Sequence, residues 1–325
     1  MSIEKNKYQQ IVPIGALDIE AYQFKDNCDI THVIIPNSVV SIGRGAFENC
    51  KKLVVVFFEE GSQLKHIDEG VFYGCVNLKN INIPNSVTSI GGEAFSECSS
   101  LVSIAIPEGV SRIEHLAFNR CSGLESISIP SSVISIDHGA FSECSSLVSV
   151  TIPEGVCSIG PLAFNGCLGM KSISLPNSIT SIAVGAFNAC MNLTNITIPE
   201  KVSVIKGLVF SYCSKLESIT IPKSVTSIER WTFQGCRNLA SVIFEKGSQL
   251  KLIATRAFNG CENLKNITIP ASVTNIGYNV FDVSGVTQIK YEGTVEAFNN
   301  AVEHGKWNEG SNIKRVICSD GEIIL

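Results

Sequence analysis

Thirteen cysteines in 325 residues are the densest source of reactive chemistry in this chain. Ten of them, at 50, 75, 98, 121, 144, 167, 190, 213, 236 and 261, follow a phenylalanine by three residues, and Cys28 follows Phe24 by four. A zinc site asks for paired cysteines two to four residues apart or for nearby histidines, and this spacing supplies neither. Equivalent cysteines stacked coil on coil would come within Cα range of a disulfide, yet their parallel side chains would not face each other. The spacing therefore predicts buried thiols that pack as small apolar groups. Cys157 and Cys318 fall outside the series. Cys157 occupies an outward position of a V-x-S-I run, which predicts an exposed thiol, but no ordered base accompanies it as a nucleophile would need.

The five histidines, His32, His66, His115, His138 and His304, share no common place in the pattern. His115 and His138 lie 23 residues apart and follow Glu114 and Asp137. Two such His/carboxylate pairs on adjacent coils would support weak metal binding at a solvated surface. There is no glycine-rich phosphate loop, H-E-x-x-H, G-x-S-x-G or calcium loop. The residues thus point to no catalytic group, no cofactor and no metal. Three N-x-T sequons, beginning at Asn192, Asn195 and Asn266, read as by-products of the repeated strand sequence.

The bulk properties narrow the partners. A net charge of −5 and a pI near 5.6 supply no basic field for nucleic acid or anionic lipid. No run of 18 apolar residues occurs, which predicts no membrane insertion. The first residues, MSIEKNKYQQIVPIGALDIEAYQF, lack the apolar segment of a secretory signal, which predicts a cytoplasmic chain if that N-terminus is native. Apolar residues at 45% and charged residues at 17% suffice for a continuous core.

The elements that carry these residues repeat. Phenylalanines fall at 24, 47, 72, 95, 118, 141, 164, 187, 210, 233, 258 and 281, a step of 23 except at 47→72 and 233→258, where it is 25. A fixed period of this size predicts a solenoid of about twelve coils. In Leu216–Cys236, LESITIPKSVTSIERWTFQGC, the alternation places Leu216, Ile219 and Ile221 inward and Ser218 and Thr220 outward on a first strand. Pro222 ends that strand, and Val225 and Ile228 bury a second, shorter one. The segment ERWTFQGC is too short for a full helix and predicts one or two turns of α or 3₁₀ structure. Stacked coils put the phenylalanines in one interior column about 4.8 Å apart, where Phe141→Ala would cost about 3–5 kcal/mol.

The two longer steps coincide with missing prolines, at FFEEGSQLKHI (57–67) and IFEKGSQLKLI (243–253), and predict an alternative loop used twice. AFSECSSLVS occurs at 94–103 and at 140–149, and residues 116–130 and 162–176 are likewise near-copies 46 residues apart, so a two-coil unit reads as duplicated.

The recurring LxxIxIPxSVxSIxxxAFxxCxx resembles the leucine-rich repeat of the BspA-like (Treponema-type) family over about residues 19–291, and the tail IKYEGTVEAFNNAVEHGKWNEGSNIKRVICSDGEIIL resembles that family's C-terminal unit. The resemblance implies an α/β repeat solenoid, a right-handed leucine-rich-repeat superhelix. It also implies a parallel sheet on the concave face, a cell-surface or secreted location, and binding to other proteins or host matrix with no catalytic residues. The expected organisation is an N-terminal cap and degenerate first repeat (1–30), the repeat array (31–285) and a C-terminal capping unit (286–325). In that unit Val286–Tyr291 is a last strand. Thr294 caps a helix running to Ala301 or Val302 with Gly305 as its stop. Asp320-Gly321 turns a hairpin between 313–319 and 322–325, and Trp307 covers the end of the core.

The outward positions of the long strands (for example Lys79, Asn80, Asn82 and Glu217, Ser218, Thr220) are polar and carry no aromatic anchor, whereas binding hot spots favour Trp, Tyr and Arg. Those types gather instead around the Phe-x-x-Cys turn: Tyr212, Arg230, Trp231, Arg256 and Tyr278, with His115 and Arg120 at earlier coils. These seven are the candidate partner-binding residues. The leading functional reading is a non-enzymatic protein–protein or protein–matrix interaction module, acting as a monomer. Beside it stand a glycan-binding surface module, which would need aromatics over a groove, and a thiol-dependent enzyme using Cys157.

Overall fold

The computed structural model describes residues 11–302 and 306–325. Contacts divide the chain into two compact units, Met1–Val156 and Cys157–Leu325, and each is built from parallel-strand coils of about 23 residues. Within a coil the long strand alternates as expected: in Ser218–Ile221 the serine and threonine are exposed while Ile219 and Ile221 are buried. That strand pairs in parallel with Ser241–Phe244 one coil on, and His32–Ile35 pairs in the same way with Val55–Phe58. The second strand is reduced to two residues per coil. Asp18–Ile19, Ser41–Ile42, His66–Ile67 and Ser89–Ile90 make a four-stranded parallel sheet in the first unit, and Val204–Ile205, Ser227–Ile228, Leu252–Ile253 and Asn275–Ile276 make its counterpart in the second. Each of these pairs shows water a polar or half-covered residue and buries the isoleucine that follows.

The Phe-x-x-Cys segment corrects the expectation of a helical turn. Along 43–50 the amides alternate in direction. Ala46, Glu48 and Cys50 donate to carbonyls three residues back at 2.9–3.1 Å, while Gly45, Phe47 and Asn49 donate to Glu69, Val71 and Tyr73 of the next coil at 2.7–3.0 Å. A helix would consume every amide within its own chain. Here half of them are needed by the neighbour, so the segment stays a run of turns with i→i−3 bonds only.

Inside each unit the phenylalanine rings form a stacked column. Centroid spacings run from 5.1 Å (Phe24–Phe47) to 5.6 Å (Phe47–Phe72) in the first unit and from 5.3 Å (Phe233–Phe258) to 5.9 Å (Phe187–Phe210) in the second. Burying one such ring contributes roughly 2–3 kcal/mol before stacking is counted, and offset stacking adds about 0.5–1.5 kcal/mol per pair. Ala or another small residue before the ring, such as Ala94, is fully buried and leaves the ring its room. In the Trp231 coil this place holds Thr232, whose buried hydroxyl donates to the Glu229 carbonyl at 2.7 Å.

The cysteine column beside the rings is buried, as the spacing predicted, and no disulfide forms. The thiols do more than fill space, because along the column they donate to carbonyls of phenylalanines in the preceding coil: Cys75 to Phe47, Cys98 to Phe72 and Cys236 to Phe210, at 3.0–3.2 Å. Cys28 is a correction. Its one-residue offset takes it out of the column and leaves it exposed, with its thiol against the Asp26 carbonyl.

The far end of the second unit is closed by other means. The last Phe turn has no following coil, and the segment after the helix takes that role: Asn279, Val280 and Val283 donate to Lys306, Trp307 and Gly310. Thr294 caps the helix Val295–Ala301 by accepting from the Ala297 amide, and Val302 is its C-cap. Phe298 meets Tyr291 and Trp307 edge-on, both at 5.3 Å, and Trp307 is buried. Arg315–Ile317 extends the sheet beside Gln288–Tyr291 and turns back antiparallel into Glu322–Ile324. His304, the expected stop Gly305 and the first ten residues lie outside the described residues.

Candidate functional site

The positions at which the coils differ have an unusual backbone. In all twelve coils the residue two before the phenylalanine and the residue two after it have φ between 49° and 70°. Glycine adopts this left-handed region freely, whereas any other residue pays about 1–2 kcal/mol. Sixteen of the 24 positions nevertheless hold another residue, among them Tyr212, Trp231, Arg256 and Arg120. Four of the seven sequence-predicted site residues therefore occupy left-handed positions that recur in every coil.

Part of that strain is offset by packing on the next coil. Tyr22 lies over Gly45, Leu116 over Gly139, Leu162 over Gly185 and Tyr212 over Gly235, so closely that a Cβ on any of these glycines would approach the covering side chain to 2.5–2.7 Å. At these four places the covering side chain leaves room only for a glycine on the next coil. Tyr212 is held in this way and is still 48% exposed.

In the second unit the structure gathers four candidates at neighbouring positions. Trp231 and Arg256 occupy the same left-handed place on consecutive coils, linked by the Trp231 amide donating to Thr255 and the Arg256 amide donating to Tyr278. Arg230 and Tyr278 sit one residue earlier in their coils, two coils apart. Arg230, Arg256 and Tyr278 are exposed and Trp231 is half-buried. Beside them Glu229 accepts from the Lys206 ammonium at 3.1 Å and the Gly207 amide at 3.0 Å, which fixes the loop that carries Arg230. Tyr212 stands four residues away around the coil, on the other side of the phenylalanine position, and does not join this group.

The two candidates of the first unit are placed apart from one another. The His115 ring lies against Gly92 of the preceding coil. Glu114 and Asp137, its would-be acidic partners and those of His138, are both engaged by Arg112, at 3.7 and 2.8 Å, so the paired His/carboxylate site is not assembled. Among the described residues no three His, Cys, Asp or Glu side chains group as a metal site. Arg120 is the centre of a ladder, with Glu97 at 3.2 Å on one side and Glu143 at 3.1 Å on the other, all three in left-handed conformations on consecutive coils. Those carboxylates hold the guanidinium firmly protonated. The signal for this ladder in the sequence is the opposite charge two residues after the phenylalanine on three consecutive coils, Glu97, Arg120 and Glu143.

Cys157 is exposed, as predicted. The column thiols are pushed in the unreactive direction, since burial raises Cys50 to about 11 and Cys121 and Cys190 to about 12. The two longer loops, 57–67 and 243–253, open surface hollows that sequence reading did not foresee.

The repeat itself is shared with known proteins. The family description of a BspA-type leucine-rich repeat region of six copies matches residues 17–144, 113–240 and 180–306. The crystal structure of a leucine-rich repeat protein from Bacteroides ovatus is 26% identical, with a TM-score of 0.68 over 93% of this chain and 88% of that one. A leucine-rich repeat protein from Eubacterium ventriosum is similar in fold, with 23% identity and a TM-score of 0.50 over 83% and 81% of the two chains. So is the pneumococcal vaccine antigen PcpA, with 19% identity and a TM-score of 0.51 over 86% and 68%. No curated protein matches the chain.

Proposed function

We propose that this chain, which belongs to the BspA-type leucine-rich repeat family, is a non-enzymatic interaction module that grips a protein or extracellular-matrix ligand through the exposed and half-buried side chains of a patch on its second unit. The observation that carries the reading is the pairing of Trp231 and Arg256 in left-handed conformations on consecutive coils. Both residues stand where glycine would relieve strain, and neither is needed for the shared scaffold of strands, phenylalanine and cysteine. Strain kept at a surface position, in residue types that dominate hot spots, is what a binding site requires. Arg230 and Tyr278 extend the patch on either side, whereas Tyr212, His115 and Arg120 lie outside it.

The proposal is tested by immobilising the full chain and a W231A/R256A variant and comparing what each captures from a panel of purified extracellular-matrix proteins. A matrix protein retained by the first and lost by the second, with thermal unfolding unchanged, supports the reading. Equal capture by both overturns it.

A further inference from the structure

The two longer loops build the same hollow twice, once in each unit. The first, about 400 Å³, is lined by Phe58, Glu59, Glu60, Gly61 and Ser62 against Asn82, Pro84, Asn85 and Ser86 of the next coil. The second, about 480 Å³, is lined by Phe244, Glu245, Lys246, Gly247 and Ser248 against Thr268, Pro270, Ala271 and Ser272, with Ile243 and Glu292 at its edge. Position by position the two linings correspond.

The loops are also held alike. Gly61 and Gly247 take φ of 80° and 81°. Glu59 accepts from the Asn37 amide and Glu245 from the Lys223 amide, each through one carboxylate oxygen. Gln63 and Gln249 donate to Gly61 and Gly247 at 2.8 and 3.0 Å. Two copies with the same latch make two preformed walls.

What marks the hollows as more than surface relief is a pair of serines. In ordinary coils the serine two residues after the proline donates to the preceding coil: Ser38 to Ala16, Ser132 to Val110 and Ser224 to Val202, at 2.7–2.9 Å. Ser86 and Ser272 hold the same place, but each follows a longer loop. Their hydroxyls are buried without a hydrogen-bond partner. One other described hydroxyl shares that state, that of Ser135 on the strand Ser135–Ile136. An unpaired buried hydroxyl is costly and is satisfied when a ligand brings a polar group to it.

We propose that each hollow is a binding site for an uncharged saccharide ring, so that the chain takes two per molecule. Phenylalanine and proline rings give each hollow an apolar wall for the C–H face of a sugar. Asn82 or Thr268 and the loop carboxylates supply donors and acceptors that sugar hydroxyls use, and the Ser86 or Ser272 hydroxyl, closed to solvent behind them, joins the set when the loop yields to the ring. The charges disfavour an anion: the first hollow has two glutamates and no cation, and the second has Lys246 against Glu245 and Glu292. The size lies in the range of small-ligand sites, roughly 300–1,000 Å³. Each hollow is built mainly from one loop and the adjacent coil, which suits a compact ring better than an extended peptide. The inference does not rest on the Trp231–Arg256 patch, and either can fail alone.

The test uses the full chain, isotope-labelled, with the amide signals of Gly61 and Gly247 as reporters. Glucose, galactose, mannose and N-acetylglucosamine are titrated separately at millimolar concentration, with glucuronate, inorganic phosphate and tetraglycine as controls. The expected result is a saturable shift of both glycine signals with at least one neutral sugar and none with the anions or the peptide. S86A then abolishes the response at Gly61 alone, and S272A abolishes it at Gly247 alone. Removing an unpaired hydroxyl leaves folding intact, so unchanged unfolding midpoints accompany both losses. No shift with any neutral sugar, an equal response to glucuronate, a response to tetraglycine only, or shifts indifferent to both substitutions would overturn the proposal.

Discussion

The thiol of Cys121 donates to the carbonyl of Phe95, 3.1 Å away in the preceding coil, and that carbonyl also receives the Cys98 amide of its own coil. One buried carbonyl is thus shared between the turn that closes a coil and the coil stacked upon it. Cys121→Ala removes the donor and opens a small cavity, and we expect a loss of about 2 kcal/mol, from a modest hydrogen bond plus lost packing. The urea midpoint with an unchanged slope measures it. A midpoint equal to that of the parent would mean the thiol is only filler.

The same thiols make stability depend on pH. Burial raises the folded-state values, to about 11 for Cys50 and about 12 for Cys121, above an ordinary value of 9.0. A raised value means the folded chain holds protons that the unfolded chain releases, so stability is fully present below the unfolded value and declines as pH climbs towards the folded one. The unfolding midpoint should be flat across the range below about pH 8 and fall steadily through pH 9–11. A midpoint that holds through that window would show the column is not titrating as buried thiols.

The left-handed positions make opposite predictions for exchanges of one methyl group. Ala189, at φ 57°, bears a methyl in a conformation glycine prefers, so Ala189→Gly should be neutral or stabilising by up to about 1 kcal/mol. Gly185, at φ 64°, lies under Leu162, and Gly185→Ala should destabilise by more than that because the new Cβ meets the leucine at 2.7 Å. Thermal unfolding of the two variants decides it. Equal shifts in the same direction would count against the strained-backbone account.

The ring column predicts a larger effect. Phe95 is stacked between Phe72 and Phe118 at 5.4 Å on each side and is fully buried. Phe95→Ala should cost about 3–5 kcal/mol by transfer loss and cavity. A loss below about 1 kcal/mol in chemical denaturation would be incompatible with a packed column.

Much of this architecture was legible because period and alternation are written in side chains. The 23-residue step places Phe95, Cys98, Leu101 and Ile104 inside without any knowledge of the backbone, and all four are buried. Pro, Thr294 and Asp320-Gly321 mark their turns and cap through local chemistry that needs no neighbour. The Phe turn was not legible, because its conformation is decided by amides such as those of Phe47 and Asn49 that serve the next coil. Left-handed φ at Trp231 or Arg256 is equally invisible where the residue is not glycine. For the candidate surface, sequence gave the residue types. The structure set Trp231 beside Arg256, moved Tyr212 around the coil, and tied Arg120 to Glu97 and Glu143. The hollows depended on a comparison of loops that the sequence offered, EEGSQL against EKGSQL, and on an absent hydrogen bond that it could not show.

The most direct measurement is the affinity of a purified captured partner for the full chain and for W231A, R256A and the double variant, with R120A in the other unit as a control. W231A and R256A should each raise Kd about tenfold or more, a loss of at least about 1.4 kcal/mol, while R120A changes it little and every variant keeps the parent's unfolding midpoint. A double variant that folds normally and binds with the parent's Kd would contradict it.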